Sequence, residues 1–258
     1  MKIVRNKAEL RTEIDALNGR VGFVPTMGAL HAGHLSLIEI AKENADIIVA
    51  SIFVNPTQFA PHEDFDSYPR EEDADAEKLK EAGVDILFLP TADDLYADGF
   101  DNKYETGGAA EGLETVFRPH FFGGVVNVVS RLFEAVKPNI AVFGEKDYQQ
   151  LQVIKEMVDR YDMGIEIIGA PIARDNHGLA LSSRNAYLSD GELCIARTLN
   201  ITLKEAAKSG DLEAAKSVLL TNGFDKIDYI EKRWNRILAA AWLGKTRLID
   251  NVGGSCKS

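Results

Sequence analysis

The chain has 258 residues, more than one domain core usually holds, so a large domain with a smaller companion is expected. Hydrophobic residues at 45% are enough for a buried core, while a net charge of −11 without a concentrated basic stripe argues against DNA or RNA as a partner. Two cysteines, Cys194 and Cys256, do not suggest a disulfide framework or a metal site. No apolar run reaches the roughly 18 residues of a membrane helix, and Met1–Lys7 has no apolar signal core, so a cytoplasmic protein with no membrane partner is expected.

From Val21 to about Ile172 short apolar runs alternate with amphipathic stretches. Strands are predicted at Val21–Pro25, Asp46–Val54, Asp85–Pro90, Ile140–Phe143 and Ile165–Ile168. They are rich in Val, Ile and Phe and largely lack polar alternation, as in a parallel sheet covered on both faces. Helices are predicted at His34–Asn44, Glu72–Ala82, Val125–Val136 and Tyr148–Tyr161. Such repetition implies right-handed crossovers and an α/β, doubly wound sheet with helices on both faces. Ligands of such sheets collect at the carboxyl ends of strands, which directs attention to the loops there.

After Arg184 the period changes. Ser189-Asp190-Gly191-Glu192 has the form of a capping box and opens a helix to about Lys208. A second helix, Asp211–Asn222, and strands at Lys226–Glu231, Arg236–Leu243 and Thr246–Asp250 complete a small α+β domain. The expected division is 1–175 and 176–258.

Four loops carry candidate chemistry. In Pro25-Thr26-Met27-Gly28-Ala29-Leu30-His31-Ala32-Gly33-His34 a strand ends, and two glycines let the backbone approach a ligand. The following helix N-terminus favours phosphate. His31 and His34 can donate to a triphosphate and stabilise charge on a leaving pyrophosphate. Without a third ligand nearby the two histidines make a weak zinc pattern, and two packed histidines would leave the glycines unexplained. The pattern fits nucleotidyl transfer.

In the second loop, Asn55-Pro56-Thr57-Gln58-Phe59, the amides can read hydroxyls and carbonyls of a small polar substrate, or the segment is a plain turn. The third, Phe143-Gly144-Glu145-Lys146-Asp147-Tyr148-Gln149-Gln150, places Lys146 for a phosphate. Asp147 has two readings, a Mg2+ ligand or a helix cap, of which the cap is preferred. Gln150 would face the same pocket one turn on. In the fourth, Gly178-Leu179-Ala180-Leu181-Ser182-Ser183-Arg184-Asn185, two hydroxyls and a guanidinium form a second phosphate grip or an interdomain turn.

Taken in order, PTMGALHxGH, SIFVNPTQF at Ser51–Phe59, YPR at Tyr68–Arg70, FGEKDYQQL at Phe143–Leu151, LALSSRN and LGKTRLIDN at Leu243–Asn251 resemble the pantothenate synthetase (pantoate–β-alanine ligase) family from about Lys2 to Asn251. The resemblance implies a Rossmann-like nucleotidyltransferase domain, a C-terminal lid domain, and a homodimer. It also implies a two-step reaction with Mg2+ and ATP as co-substrate: pantoate is adenylated, then the amine of β-alanine displaces AMP.

Carried over by position, the resemblance puts Met27, Gly28, Ala29, Leu30, His31, Ala32, Gly33 and His34 at ATP. Gly144, Glu145, Lys146 and Asp147, the backbone of Ala173, and Leu181, Ser182, Ser183 and Arg184 complete the nucleotide site. His34 would be the general acid, His31 a second phosphate contact, and Lys146 the third catalytic group. Gln58 and Gln150 would hold pantoate, Gln58 also serving β-alanine, with Asn55, Tyr68 and Arg118 at the rim and the second substrate. No side chain is assigned to a metal.

Three features depart from the family pattern. Arg118-Pro119-His120-Phe121-Phe122-Gly123-Gly124-Val125 has Phe where the family usually has His, and His120 where it has Gly. The preferred reading shifts this loop by one residue, with Gly123-Gly124 supplying flexibility and His120 swinging into the vacated place. His177 replaces a usual Asp, and Ile230–Arg236 joins strands that the family separates by a longer excursion. Two rivals are a transferase that moves a nucleotidyl group onto a phosphate ester, and a nucleotide-binding regulator without catalysis.

Overall fold

The computed structural model describes residues 1–59, 65 and 68–253 and divides them into two compact units. Cys256 lies outside the described residues. The first unit comprises Met1–Glu145 and Gln149–Ala170, and the second Lys146–Tyr148 and the chain from Pro171 onward, against the sequence expectation of a division after residue 175.

In the first unit β1 (Lys2–Val4), α1 (Lys7–Asp15), β2 (Val21–Thr26), α2 (Ala32–Asn44), β3 (Ile47–Ile52), α3 (Glu72–Glu81) and β4 (Ile86–Phe88) follow in sequence. Two single-turn helices, α4 (Ala92–Leu95) and α5 (Glu114–Phe117), precede α6 (Phe121–Val136) and β5 (Ile140–Gly144). Then come α7 (Tyr148–Arg160) and β6 (Glu166–Ala170). The six strands form a parallel sheet in the order β1-β4-β3-β2-β5-β6.

Side chains alternate across each strand, which gives the sheet two apolar faces. Val24, Ile48, Ala50 and Leu87 share a cluster with Leu37, Ile38 and Ala41 of α2 and Leu79 of α3. On the opposite side Phe23 meets Phe133 of α6 edge-on, with ring centroids 6.3 Å apart. Phe23 is fully buried, which stabilises the fold by roughly 1.5–3 kcal/mol relative to an exposed side chain. The chain proceeds from β2 through β3 to β4 on one side and from β5 to β6 on the other. Strand order therefore reverses between β2 and β5, and the carboxyl ends of such a pair are where ligands of these sheets collect.

The edge pair β1 and α1, like the single-turn helices α4 and α5, was not announced by the sequence. Only Val4 of β1 is buried. The inward face of α1 is just Leu10 and Ile14, one turn apart, behind an Asn6 cap that accepts from the Glu9 N–H.

In the second unit α8 (Asp190–Ser209) and α9 (Leu212–Thr221) pack with an antiparallel sheet of β7 (Lys226–Arg233), β8 (Arg236–Leu243) and β9 (Thr246–Gly253). The Ser189 and Glu192 side chains form the capping box read from the sequence, satisfying two backbone donors at the start of α8. β7 and β8 are joined by Trp234 and Asn235 alone, with φ of +49° and +54°. Two successive positive values are those of a type I′ turn, whose twist suits a two-residue hairpin. Among the described residues no helix is long and apolar enough to cross a membrane.

Candidate active site

β2 ends at Thr26, and the chain turns through Gly28 (φ +84°) and Ala29 (φ +51°) before α2 begins. Gly28 is required twice over. Its φ is left-handed, and a Cβ there would lie 3.2 Å from Asp75 Oδ2 and from Ile52 Cγ2. The turn is held from α3. Asp75, 1% exposed, accepts from the Leu30 N–H at 2.9 Å, and Lys78 donates to the Leu30 carbonyl at 2.9 Å. Lys78 also meets Asp75 at 3.2 Å. One residue of the loop is thus gripped at both backbone polar atoms.

His31 and His34 form the helix cap themselves. His31 Nδ1 accepts from the Gly33 N–H at 3.1 Å, and His34 Nδ1 accepts from the His31 N–H at 3.3 Å. Their rings lie 4.1 Å apart. A neutral imidazole that accepts at Nδ1 carries its proton on Nε2. With Nδ1 engaged, Nε2 is the ring nitrogen left to carry the proton, and both rings sit at a helix N-terminus that already favours anions.

Asn55 lies inside the loop after β3, at 1% exposure. Its Oδ1 accepts from the Thr57 N–H, the Thr57 hydroxyl and the Tyr96 hydroxyl, while Nδ2 donates to the Gly124 carbonyl and to Gln58 Oε1. The sequence places Asn55 and Tyr68 at the rim. In the structure both are buried, Tyr68 with its ring edge-on to Phe59 at 5.9 Å. Arg118 is half-buried, with its guanidinium 3.9 Å from the Phe121 ring centroid and donating to the Gln58 carbonyl at 3.4 Å. Gln150 is half-buried on α7.

The loop at 118–125 differs from its expected form. Helix α6 starts at Phe121, His120 has right-handed φ and ψ of −86° and −13°, and its side chain is exposed. An exposed His120 on ordinary helical backbone is not the inward-swung histidine that the shifted loop requires. Gly123 and Gly124 are inside the helix, and Gly124 supplies close approach instead of flexibility. A Cβ on Gly124 would stand 2.3 Å from the Thr57 carbonyl oxygen.

The second unit carries its own set of candidates. Glu145–Asp147 is a 3-10 turn running straight into α7, so Asp147 immediately precedes that helix. Asn251, 1% exposed, donates to the Lys146 carbonyl at 3.1 Å and accepts from Arg236 at 2.6 Å. Asp250, its neighbour on β9, takes both ends of the Arg174 guanidinium at 2.7 and 2.8 Å and a bond from Asn200. Asp175 receives the His177 and Leu179 N–H groups and Arg197 Nε. Burial pushes its carboxyl up, but these donors outweigh burial and hold it below the usual range. His177 is exposed and contributes only its backbone N–H to this turn. The hairpin so braced leads through Leu181, whose N–H donates to the Ala173 carbonyl, to a 3-10 turn capped by Ser182 Oγ on the Arg184 N–H.

The first unit thus holds a strand-end turn with a histidine-built helix cap and an amide pair after β3. The sequence matches the profile of the pantoate-beta-alanine ligase family over residues 2–253. The chain belongs to the pantoate–β-alanine ligase family. It is 50% identical to pantothenate synthetase from Caulobacter vibrioides and 50% identical to that from Mesorhizobium japonicum, covering 97% of both chains in each comparison. A pantoate-beta-alanine ligase from Francisella tularensis, crystallised with beta-gamma ATP and beta-alanine, has a TM-score of 0.91 at 40% identity, covering 98% of both chains. Pantothenate synthetase from Thermus thermophilus has a TM-score of 0.87 at 41% identity over 98% of this chain and 99% of the other. The fold is that of the pantoate–β-alanine ligases.

Asp75, Lys78 and Tyr96 do not stand out in the sequence. Asp75 hides in an acidic run, Glu71-Glu72-Asp73-Ala74-Asp75, that reads as a solvated face. One signal exists: Asp75 lies four residues before buried Leu79, on the helix stripe that faces inward.

Proposed function

We propose that this chain joins pantoate to β-alanine using ATP, through a pantoyl-adenylate. A pantoate carboxylate oxygen attacks the α-phosphorus, and the bond to pyrophosphate breaks. The β-alanine nitrogen then attacks the acyl carbon, the bond to the AMP oxygen breaks, and the nitrogen gives up a proton. A carboxylate is a poor acyl donor, and adenylation gives it a good leaving group. The protein's task is to position reactants and absorb phosphate charge, which requires no nucleophilic side chain.

The observation that carries this reading is the His31–His34 cap, which sets two imidazoles at the N-terminus of a helix that follows a strand-end turn. His34 acts on the departing pyrophosphate, His31 and Lys146 on phosphate oxygens, and the 27–34 and 144–147 segments, Ala173 and 181–184 on the nucleotide. Gln58 and Gln150 hold pantoate, and Asn55 acts by holding Gln58. Mg2+ enters on the nucleotide, since it is ordinarily carried by substrate phosphates. Among the described residues no group of three or more His, Cys, Asp or Glu is gathered to hold a metal ion. A homodimer working in the cytoplasm completes the proposal.

The test is ATP–pyrophosphate exchange. It should depend on pantoate and proceed without β-alanine, and His34→Ala or Lys146→Ala should slow it by roughly 10²–10³, the scale for losing one charge-stabilising donor. ADP in place of AMP, or full exchange in either variant, would refute the scheme.

A further inference from the structure

The amide pair after β3 is organised from behind by a phenol. Tyr96, 4% exposed, follows α4 and is fixed on several sides. Its ring stacks on Phe100 at 4.5 Å, and the guanidinium of buried Arg131 lies 4.8 Å from its centroid. Its hydroxyl reaches Asn55 Oδ1 at 2.7 Å, the shortest of the three bonds to that oxygen; those from Thr57 are 3.1 and 3.3 Å.

A carboxamide has one accepting end and one donating end. The Thr57 N–H can only donate, so the end of the Asn55 amide that it meets is oxygen, and the Tyr96 hydroxyl adds the shortest bond to that oxygen. Nδ2 is thereby directed to the Gly124 carbonyl at 3.1 Å and to Gln58 Oε1 at 3.0 Å. The second bond sets the Gln58 amide in turn, because an Oε1 held by Asn55 leaves Nε2 as the end that meets a ligand. Burial raises the Tyr96 phenol above its ordinary value, so the hydroxyl remains a donor through the neutral range.

We propose that Tyr96 is a positioning residue for the acyl substrate, orienting Asn55 so that Gln58 presents N–H donors to the carboxylate or hydroxyl oxygens of pantoate. The proposal rests on the reading that Gln58 binds pantoate. Tyr96 touches no reacting atom and acts through two amides. Without its hydroxyl, Asn55 Oδ1 keeps one long backbone bond and a threonine hydroxyl that can rotate to donate or accept. The Asn55 amide loosens, and Gln58 spends part of its time with the wrong end outward.

Pantoate-dependent ATP–pyrophosphate exchange, run without β-alanine, separates the two substrates. Tyr96→Phe should raise KM for pantoate about tenfold, the equivalent of ~1.4 kcal/mol, while KM for ATP stays within twofold of the parent. Asn55→Asp places an oxygen against Gln58 Oε1 and should produce the same selective defect more strongly. Adding Tyr96→Phe to Asn55→Asp should then add little, since both act on one relay. An unchanged KM for pantoate in Tyr96→Phe, or an equal rise for ATP, overturns the relay. Gln58→Ala distinguishes the underlying assumption: if it leaves KM for pantoate unaltered, Gln58 is not a pantoate ligand. A selective defect in Gln58→Ala with none in Tyr96→Phe condemns the relay alone.

Discussion

Asp75→Ala tests whether the grip on Leu30 serves the nucleotide or only the fold. The side chain is 1% exposed, its Oδ1 takes the Leu30 N–H at 2.9 Å, and Lys78 shares both Asp75 and the Leu30 carbonyl. A hydrogen bond to a charged group contributes about 1.5–3 kcal/mol. The surrounding ion pair adds little, because Lys78 is 37% exposed and solvent screens it. If the bond holds the 27–31 turn in its phosphate-binding shape, its loss should lower kcat/KM for ATP by roughly 10- to 100-fold, at about 1.4 kcal/mol per decade. Asp75→Asn keeps an acceptor for Leu30 and should lose much less. Exchange kinetics at varied ATP, beside a thermal melt, make the measurement. A variant that melts earlier yet keeps its kcat/KM for ATP would show that Asp75 supports the fold without shaping the loop, and would refute the reasoning.

Two further outcomes follow from the same description. His120→Ala should leave turnover within about twofold, because the side chain is exposed, whereas Phe121→Ala should cost Arg118 a cation–π contact of ~0.5–1 kcal/mol and weaken substrate use several-fold; the reverse ranking in steady-state assays would restore the shifted loop. Asp98 is held down to about 2, first by its hydrogen bond from Arg131 and then by Lys103. Its depressed carboxyl adds stability above its ordinary value of 3.8, lost as pH falls toward about 2. Asp98→Asn should therefore flatten the acid limb of a stability–pH profile in that window, and an unaltered limb would count against the pairing.

The sheet was legible because its strands are continuous apolar runs, and α8 because Ser189 and Glu192 spell out its cap. The loops to which chemistry is assigned drew attention because glycine, histidine and lysine cluster at strand ends. Less visible was whatever depends on pairing across the chain. Asp75 and Leu30 are 45 residues apart, Tyr96 and Asn55 are 41, and Asn251 and Lys146 are 105. Local pattern carries no information about such partners. The His120 expectation failed for a related reason. Gly123 and Gly124 read as a flexible joint, but the space taken by the Thr57 carbonyl is what excludes a side chain at 124.

Strand β9 has one more consequence. Asp250 ties down Arg174, at the root of the hairpin leading to Ser182 and Arg184, and Asn251 ties down the Lys146 carbonyl. Two adjacent positions therefore set the spacing between two groups assigned to the same nucleotide, like the jaws of a caliper on one rod. In a genetic screen such residues would score as a single locus: damage near 250 should mimic the loss of Lys146 and of Arg184 together, and restoring either one alone should not bring activity back.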